Sequence, residues 1–205
     1  MGKKIDSFGV DILKEAENIG AGSASTALSN LTGKKIKVKA EDLKIISLDN
    51  IYDLVGGPDV PSVGMILGIS GGVDGSILLF ASKKDSLALS DIIQKENLGD
   101  AAELGSVDMD AIQEMGNILV GAYLTALSTL SGMNLIESTP NFITGKAKKI
   151  GNFIKKEYRD KINYVYVFET LLNISGKKIE EKIVLLLTND SFNKLFNTMI
   201  EKNLK

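Results

Sequence analysis

The residues best suited to chemistry occur in two segments of similar spelling, which begin at Asp11 and at Asp110. The segments DILKEAENIGAGSASTALSNLTG and DAIQEMGNILVGAYLTALSTLSG lie 99 positions apart and are identical at 11 of 23 positions. Both keep an Asp, a Glu, an Asn and a Gly at the same spacing. The chain contains no His and no Cys, which excludes the commonest general base, the usual zinc ligand and a thiol nucleophile. The chemistry available is therefore that of carboxylates, amides, hydroxyls and lysines.

The shared polar residues fall on one narrow stripe of a helix. At about 100° per residue, with Asp11 at 0°, Glu15 lies near 40°, Asn18 near −20° and Gly22 near 20°. We call this set the first outer stripe. The second outer stripe, at the matching positions, consists of Asp110, Glu114, Asn117 and Gly121. The core stripes predicted on the opposite sides of the two helices are Leu13, Ala16, Gly20, Ala27 and Leu31, and Ile112, Met115, Leu119, Ala126 and Leu130.

The matching outer stripes have a structural and a functional interpretation. A duplicated domain keeps its core, and an Asp near a helix start is favoured by the helix dipole. Asn, however, lowers helix stability relative to Ala by roughly 0.5 kcal/mol, yet it is kept while neighbours differ, as in Lys14 against Gln113 and Glu17 against Gly116. The glycine of each stripe leaves room for the backbone of a partner. We therefore favour a functional stripe, and we disfavour a phosphate-binding glycine loop because no strand precedes NIGAGS.

The composition is typical of a globular chain that does not bind nucleic acid. Hydrophobic residues make up 44% and charged residues 24% of the 205 residues, which is ordinary for a folded domain. A formal net charge of −2 provides no basic field for nucleic acid. The apolar runs are too short to span a membrane, and the first residues do not resemble a secretory signal. We expect a cytoplasmic protein without membrane insertion.

Periodicity and turn residues predict the same order of elements in both halves. The predicted fold class is α+β, with internally duplicated helix-strand-strand-strand-helix units, a pseudo-two-fold axis and a mainly antiparallel sheet. We expect a single domain, 1–205, made of two repeats at approximately 6–95 and 106–203 and joined by the linker KENLGDAAELGS. The segments NIYDLVGGPDVPS and GKAKKIGNFIKKEYRD receive no helix or strand. The predicted helices cover about 6–31, 84–94, 108–130 and 191–203, and the strands about 36–47, 63–70, 76–82, 133–138, 162–174 and 179–188.

The outer stripes also carry a family resemblance. The spacing Asp-x3-Glu-x2-Asn-x22-Pro resembles the signature of the CheC/CheX/FliY family, the CheY-phosphate phosphatases of bacterial and archaeal chemotaxis. The second copy matches throughout, at Asp110, Glu114, Asn117 and Pro140, whereas the first has Glu41 where the proline is expected. Two motifs in one chain, the segment NIGAGSASTALS and the strand order resemble the CheC type within this family.

The resemblance implies a chemotaxis protein phosphatase that hydrolyses the aspartyl phosphate of the response regulator CheY. Asn18 and Asn117 would position the attacking water. Glu15 and Glu114 would pair with the active-site lysine of the regulator and fix the docking. The lack of His and Cys agrees with such a role, because the regulator supplies its own phosphorylated site.

The remaining motif residues would support these two surfaces. Asp11, Asp110 and Pro140 would maintain the motifs, and Gly22 and Gly121 would allow close approach of the partner. We expect no metal and no cofactor of the chain's own, with Mg²⁺ held by the partner regulator.

The expected partners are phosphorylated CheY and CheD, a receptor-modifying deamidase, and we expect the chain alone to be a monomer. The alternative function is that of a non-catalytic adaptor that binds and regulates CheD. An adaptor could lose its Asn residues without consequence, so the retention of Asn in both motifs favours catalysis. Because only the second motif is complete, we expect Asn117 to contribute at least as much activity as Asn18.

Overall fold

The computed structural model describes residues 7–94, 103–162, 164–174 and 176–203. Most of the predicted linker, residues 95–102, lies outside these ranges. The elements, in chain order, are α1 (Ser7–Thr32), β1 (Ile36–Ser47), a 3-10 helix (Leu48–Val55), β2 (Pro61–Ser70), β3 (Gly75–Ser82), α2 (Lys83–Ile93), α3 (Ser106–Ser131), β4 (Ile136–Glu137), β5 (Asn141–Lys146), α4 (Ala147–Tyr158), β6 (Tyr164–Ile174), β7 (Lys177–Leu187) and α5 (Asn189–Asn203).

The described strands form one antiparallel sheet in the order β1-β6-β7-β3-β2-β4, and β5 also pairs with β2. Because β3 pairs with β7, strands of the two halves meet in the middle of the sheet. Helices α1, α2, α3 and α5 cover one face, and the 3-10 helix and α4 cover the other. The predicted α+β class with a mainly antiparallel sheet is confirmed. The repeat bounds stay a prediction, because residues 6 and 95 lie outside the described ranges.

The two halves repeat the same contact between the first helix and the strand that follows it. In the first half, Ile36 N donates to Ser29 Oγ at 3.0 Å. In the second, Leu135 N donates to Ser128 Oγ at 3.1 Å, 99 positions further along the chain. Ile36 is the first residue of β1, and Leu135 directly precedes β4. Each serine therefore accepts a bond from an amide at the start of an edge segment, which agrees with the internal duplication.

Each half also contains a helix that the sequence pattern did not predict. The lysine-rich segment forms α4, because Ile150 and Ile154 lie one turn apart and are both buried against the sheet. The matching element in the first half is the 3-10 helix, which buries Ile51. The strand predicted at 133–138 is shorter than expected and covers Ile136–Glu137.

The core stripe predicted for α1 is correct only from Leu13 to Gly20, whose predicted residues are buried. Ala27 is exposed and Leu31 is 42% exposed, so the prediction that they face the core is wrong. Beyond Gly20 the buried residues are Ala24 and Leu28. These residues are four apart, the ridge spacing along which packed helices cross, so the buried row drifts around α1. The core stripe of α3 is buried as predicted, with its last residue half-buried.

Both edges of the sheet are interrupted at matching positions. The register between β1 and β6 shifts between Ala40 and Asp42, which makes Glu41 a bulge residue. In the second half, Pro140 lies in the gap between β4 and β5. Proline has no N–H to donate, so it fits where the strand ladder is broken. Glu41 therefore occupies the same structural position as the motif proline.

We predict that Glu41→Pro leaves the free energy of unfolding within about 1 kcal/mol of wild type, because a bulge residue is left out of the ladder. Lys39→Pro is the matched control. Val38 N donates to Ser25 Oγ, away from β6, so the next N–H along the strand, that of Lys39, points toward β6. Removing that donor should cost about 2 kcal/mol or more. Urea denaturation of both variants tests this, and equal losses would contradict the bulge assignment.

Candidate functional site

Each motif helix lies at its own edge of the sheet. At one edge, Val38 of β1 donates its N–H to Ser25 Oγ of α1 at 2.8 Å. At the other edge, Glu137 of β4 lies beside α3, with its Oε1 3.6 Å from the place where a Cβ on Gly121 would stand. Because β1 and β4 are at opposite ends of the sheet, the two outer stripes form two separate surfaces.

The structure brings each outer stripe together on one helix face and presents it to solvent. The exposed members are Asp11, Glu15, Asn18, Gly22, Asp110 and Glu114, and the half-buried members are Asn117 and Gly121. Within the described ranges, the Glu and Asn side chains of both stripes take part in no hydrogen bond or ion pair. Their polar atoms are therefore available to a partner, while their roles stay a prediction.

The helix dipole does not account for the shared aspartates. The described part of α1 starts at Ser7 and α3 starts at Ser106, so at least four helical residues precede Asp11 and four precede Asp110. The attraction between a carboxylate and the helix dipole falls off within the first turn. The acidic residue in the first turn of α3 is Asp108, and the first described turn of α1 has none. The structural explanation of the two aspartates is correspondingly weaker.

Each motif helix is held at its start by the last helix of the other half. In α3, Asp108 accepts hydrogen bonds from Ser90 Oγ at 2.6 Å and Gln94 Nε2 at 3.0 Å, at the end of α2, and from Gly105 N at 2.7 Å. The bonds from Ser90 and then from Gly105 lower the pKa of the Asp108 carboxyl. At the matching position of α1, Gly9 packs against α5 without room for a Cβ. These contacts fix the direction of both outer stripes.

A buried carboxyl distinguishes the first motif helix from the second. Glu17 is 2% exposed, and its Oε1 has no hydrogen-bond partner among the described residues. Burial and, after it, the charge of Asp42 raise the pKa of Glu17 to about 7, with Lys14 opposing and Glu169 adding to the shift. The matching residue of α3 is Gly116. Only the first motif helix therefore buries a group that changes charge near neutral pH.

Apolar residues beside the outer stripes are part of both surfaces, and the sequence analysis did not single them out. Phe8 is 38% exposed, Ile19 is 36% exposed and Val107 is 60% exposed. Ile118, which matches Ile19, is half-buried. With Asp11 and Asp110 at 0°, Phe8 and Val107 lie at about 60° around the helix, and Ile19 and Ile118 lie at about 80°. The signal that could have identified them is the identity of Ile19 and Ile118 in the aligned segments.

The candidate site is a surface rather than a pocket. A cavity of about 220 Å³ is lined by the end of the 3-10 helix, β3, the start of α2 and β7, and by no residue of either stripe. Over the parts of the chain that the structure describes, no group of three or more acidic side chains is placed to hold a metal ion. In the same ranges, no helix is both long and apolar enough to cross a membrane.

Comparison with known families finds that one family model matches the segments of both outer stripes. The model of the CheC-like family matches residues 8–39 and 107–144. The first matched segment contains the first outer stripe, and the second contains the second outer stripe together with Pro140. The resemblance stated from the motifs is therefore confirmed, and both halves of the chain are similar to the CheC-like family.

Individual relatives show the same resemblance. The chain is 35% identical over 134 residues to the CheY-P phosphatase CheC of Bacillus subtilis, which covers 64% of this chain and 64% of that protein. It is 30% identical over 131 residues to the flagellar motor switch phosphatase FliY of the same organism, over 63% of this chain and 34% of that protein. The chain thus aligns with less than two thirds of the length of either relative. The crystal structure of Thermotoga maritima FliY has a similar fold, with a TM-score of 0.76 at 20% identity over 98% of this chain and 100% of that one.

Substituting the stripe glycines should separate helix stability from docking. A Cβ on Gly22 would meet nothing within 4 Å, and one on Gly121 would meet only Glu137, at 3.6 Å. Gly22→Ala and Gly121→Ala should therefore raise the free energy of unfolding by roughly 0.5–1 kcal/mol. With phosphorylated CheY, the partner that the family resemblance implies, both variants should also release phosphate more slowly, because a methyl group would stand where that partner is expected to approach. Urea denaturation and a phosphate-release assay measure the two effects.

Gly20→Ala is the control for this prediction. Its Cβ would lie 2.9 Å from Cγ and 3.1 Å from Cα of Tyr123, so it should destabilise the protein instead. Stabilised variants with wild-type activity at both stripe glycines would show that these glycines do not serve partner approach.

We predict that Glu17→Gln removes part of the pH dependence of stability. The pKa of Glu17 is raised from 4.5 to about 7, so the folded state disfavours ionisation. As pH rises from about 4.5 to 7, the unfolded state loses its proton first and wild-type stability falls. The unfolding free energy of Glu17→Gln relative to wild type should therefore increase between pH 5 and pH 8, by on the order of 3 kcal/mol.

Glu15→Gln, at an exposed position of the same helix, is the matched control for replacing a carboxyl group by an amide. Urea denaturation at several pH values measures both differences. A Glu17→Gln difference that stays constant with pH would contradict the prediction.

Proposed function

We propose that the chain is a phosphatase that hydrolyses the aspartyl phosphate of the response regulator CheY, with each outer stripe as one active surface. The names of the relatives support this proposal, since one is a CheY-P phosphatase and another a flagellar motor switch phosphatase. The match of the CheC-like family at both motifs supports it further. The proposal extends to this chain an activity that belongs to proteins with which it aligns only in part.

The observation that carries the proposal is the Glu and Asn pair on each stripe, whose side chains form no hydrogen bond or ion pair with the described residues. Three of the four are exposed, and Asn117 is half-buried. Glu15 and Asn18 are three residues apart in α1, and Glu114 and Asn117 are three residues apart in α3. Residues at this spacing are neighbours on a helix surface. A carboxylate and an amide therefore project side by side from a helix. Neither group forms a hydrogen bond or an ion pair with the described residues.

The amide suits the task of positioning water. A carboxamide offers an acceptor oxygen and two N–H donors, so Asn18 or Asn117 can hold one water molecule in a fixed orientation. The oxygen of that water forms a bond to phosphorus while the bond from phosphorus to the aspartyl oxygen of CheY breaks. The products are inorganic phosphate and the free aspartate of the regulator. In phosphoryl transfer, orienting the nucleophile and stabilising charge account for most of the catalysis.

The carboxylate suits the task of docking. Glu15 or Glu114 would pair with the active-site lysine of CheY and bring the neighbouring amide to the phosphoryl group. Such a pair contributes about 0–1 kcal/mol when exposed, and more when the interface excludes water. The Mg²⁺ of the reaction belongs to the regulator, so the proposal requires no metal site in this chain.

The test is phosphate release from phosphorylated CheY by Asn18→Ala, Asn117→Ala and the double variant. Two equal sites would each leave about half of the rate, and the double variant should lose roughly 100- to 1,000-fold in kcat/KM, the usual effect of removing a group that organises a transition state. We expect Asn117→Ala to lose at least as much as Asn18→Ala, because the second motif is complete.

Asn30→Ala is the matched control, since Asn30 is an exposed residue of α1 that lies outside the stripe. It should leave kcat/KM unchanged. A folded double variant with wild-type activity would exclude both asparagines from the reaction. If that variant also still bound CheD, the adaptor function would be the better account.

A further inference from the structure

The two outer stripes have different charged neighbours. In the first half, Val38 of β1 is 5% exposed and its N–H is bonded to Ser25 of α1. The matching residue of the second half, 99 positions later, is Glu137 of β4, and it is exposed. A buried apolar side chain in one copy is thus replaced by an exposed carboxylate in the other.

Glu137 lies on the surface of the second outer stripe. Its backbone pairs with Ile69 of β2, which fixes its position at the sheet edge. Its Oε1 is 3.6 Å from the place where a Cβ on Gly121 would stand. Gly121 is one helical turn beyond Asn117, so the carboxylate lies about one turn from the proposed water-holding amide along the same face. Among the described residues, Glu137 forms no ion pair or hydrogen bond through its side chain.

A second difference also makes the second surface more negative than the first. Lys14 of α1 is exposed next to the first outer stripe, and Gln113 takes its place in α3. A formal charge of −1 is carried by the four residues Asp11, Lys14, Glu15 and Val38. A formal charge of −3 is carried by their counterparts Asp110, Gln113, Glu114 and Glu137. At these four matched positions the two halves therefore differ by two charges.

We propose that Glu137 is a specificity-determining residue, which makes the second surface select a response regulator with a basic side chain beside its phosphorylated site. This inference rests on the proposed function. An additional carboxylate near an incoming phosphoryl group is unfavourable unless the partner supplies a cation to face it. At the matching position the first surface has Val38, which is buried and uncharged and places no such requirement on its partner. Two surfaces with one reaction chemistry thereby differ in the partner charge that they accept.

The experiment uses variants of the full chain in which one surface remains active. Asn18→Ala leaves the second surface, and Asn117→Ala leaves the first. Glu137→Gln is introduced into both, and kcat/KM for phosphate release from CheY is measured at low and at high salt. Glu157→Gln, an exposed Glu on α4 at the opposite face of the sheet, is the matched control.

We expect Glu137→Gln to lower kcat/KM by about 3- to 5-fold when only the second surface is active, the loss expected for an exposed charge pair. The loss should lie mainly in KM and should diminish at high salt, because salt screens exposed charges. The effect should be confined to the variant whose second surface is intact. Glu137→Lys should increase the loss beyond that of Glu137→Gln.

The outcomes distinguish this inference from the proposed function. If the Asn18→Ala, Asn117→Ala double variant is inactive but Glu137→Gln alters both single-surface variants equally, or neither, the specificity role is wrong. An increase in kcat/KM on Glu137→Gln would also overturn it. If the double variant retains wild-type activity, the proposed function itself fails, and the specificity role fails with it.

Discussion

Helices α1 and α3 meet where Gly20 leaves room for the ring of Tyr123. A Cβ on Gly20 would stand 2.9 Å from Cγ of Tyr123 and 3.1 Å from its Cα, so no larger residue fits without moving a backbone. The Tyr123 hydroxyl is 3.0 Å from Thr170 Oγ1, and its ring centroid is 5.6 Å from that of Phe168, both in β6. This contact joins both motif helices to the sheet. Because it fixes their inner faces, it also determines where the outer stripes point.

The duplicated halves have diverged in what supports the stripes and not in the stripes themselves. Glu17 is buried in α1, where α3 has Gly116. Glu137 is exposed on β4, where β1 has the buried Val38. Each difference places a carboxyl group in one half where the matching position of the other half has none. The Glu and Asn side chains of each stripe form no hydrogen bond or ion pair with the described residues, so no internal polar contact accounts for their identity. A requirement imposed by a partner is the explanation that the proposed function offers.

Most of the fold could be predicted from local patterns in the sequence. Apolar periodicity and the glycines that mark helix ends each involve only a few neighbouring residues. The prediction of 36–47 for the first strand, for example, agrees with β1, Ile36–Ser47. The exposure of Ala27 and Leu31 could not be predicted in this way, because the drift of the buried row depends on where α3 crosses α1. α4 was missed because its lysines obscure a short apolar row.

The candidate site was likewise predictable where its residues are close in sequence, and not where they are brought together by the sheet. Both outer stripes could be recognised from the sequence, since their residues are neighbours in one helix. The place of Glu137 could not, because it lies beside Gly121 only through the pairing of β4 with β2.

The interrupted sheet edges have a consequence for how the folded chain meets other copies of itself. Unpaired edge strands are templates for aggregation, and their hazard grows with the length of flat, continuous backbone that they expose. Here the first part of each edge is occupied by a serine of the neighbouring helix, Ser29 in one half and Ser128 in the other. The break at Glu41 or Pro140 then leaves the six-residue stretches 42–47 and 141–146. A second chain can therefore extend this sheet only over a short run at either end, which limits the growth of intermolecular β-structure.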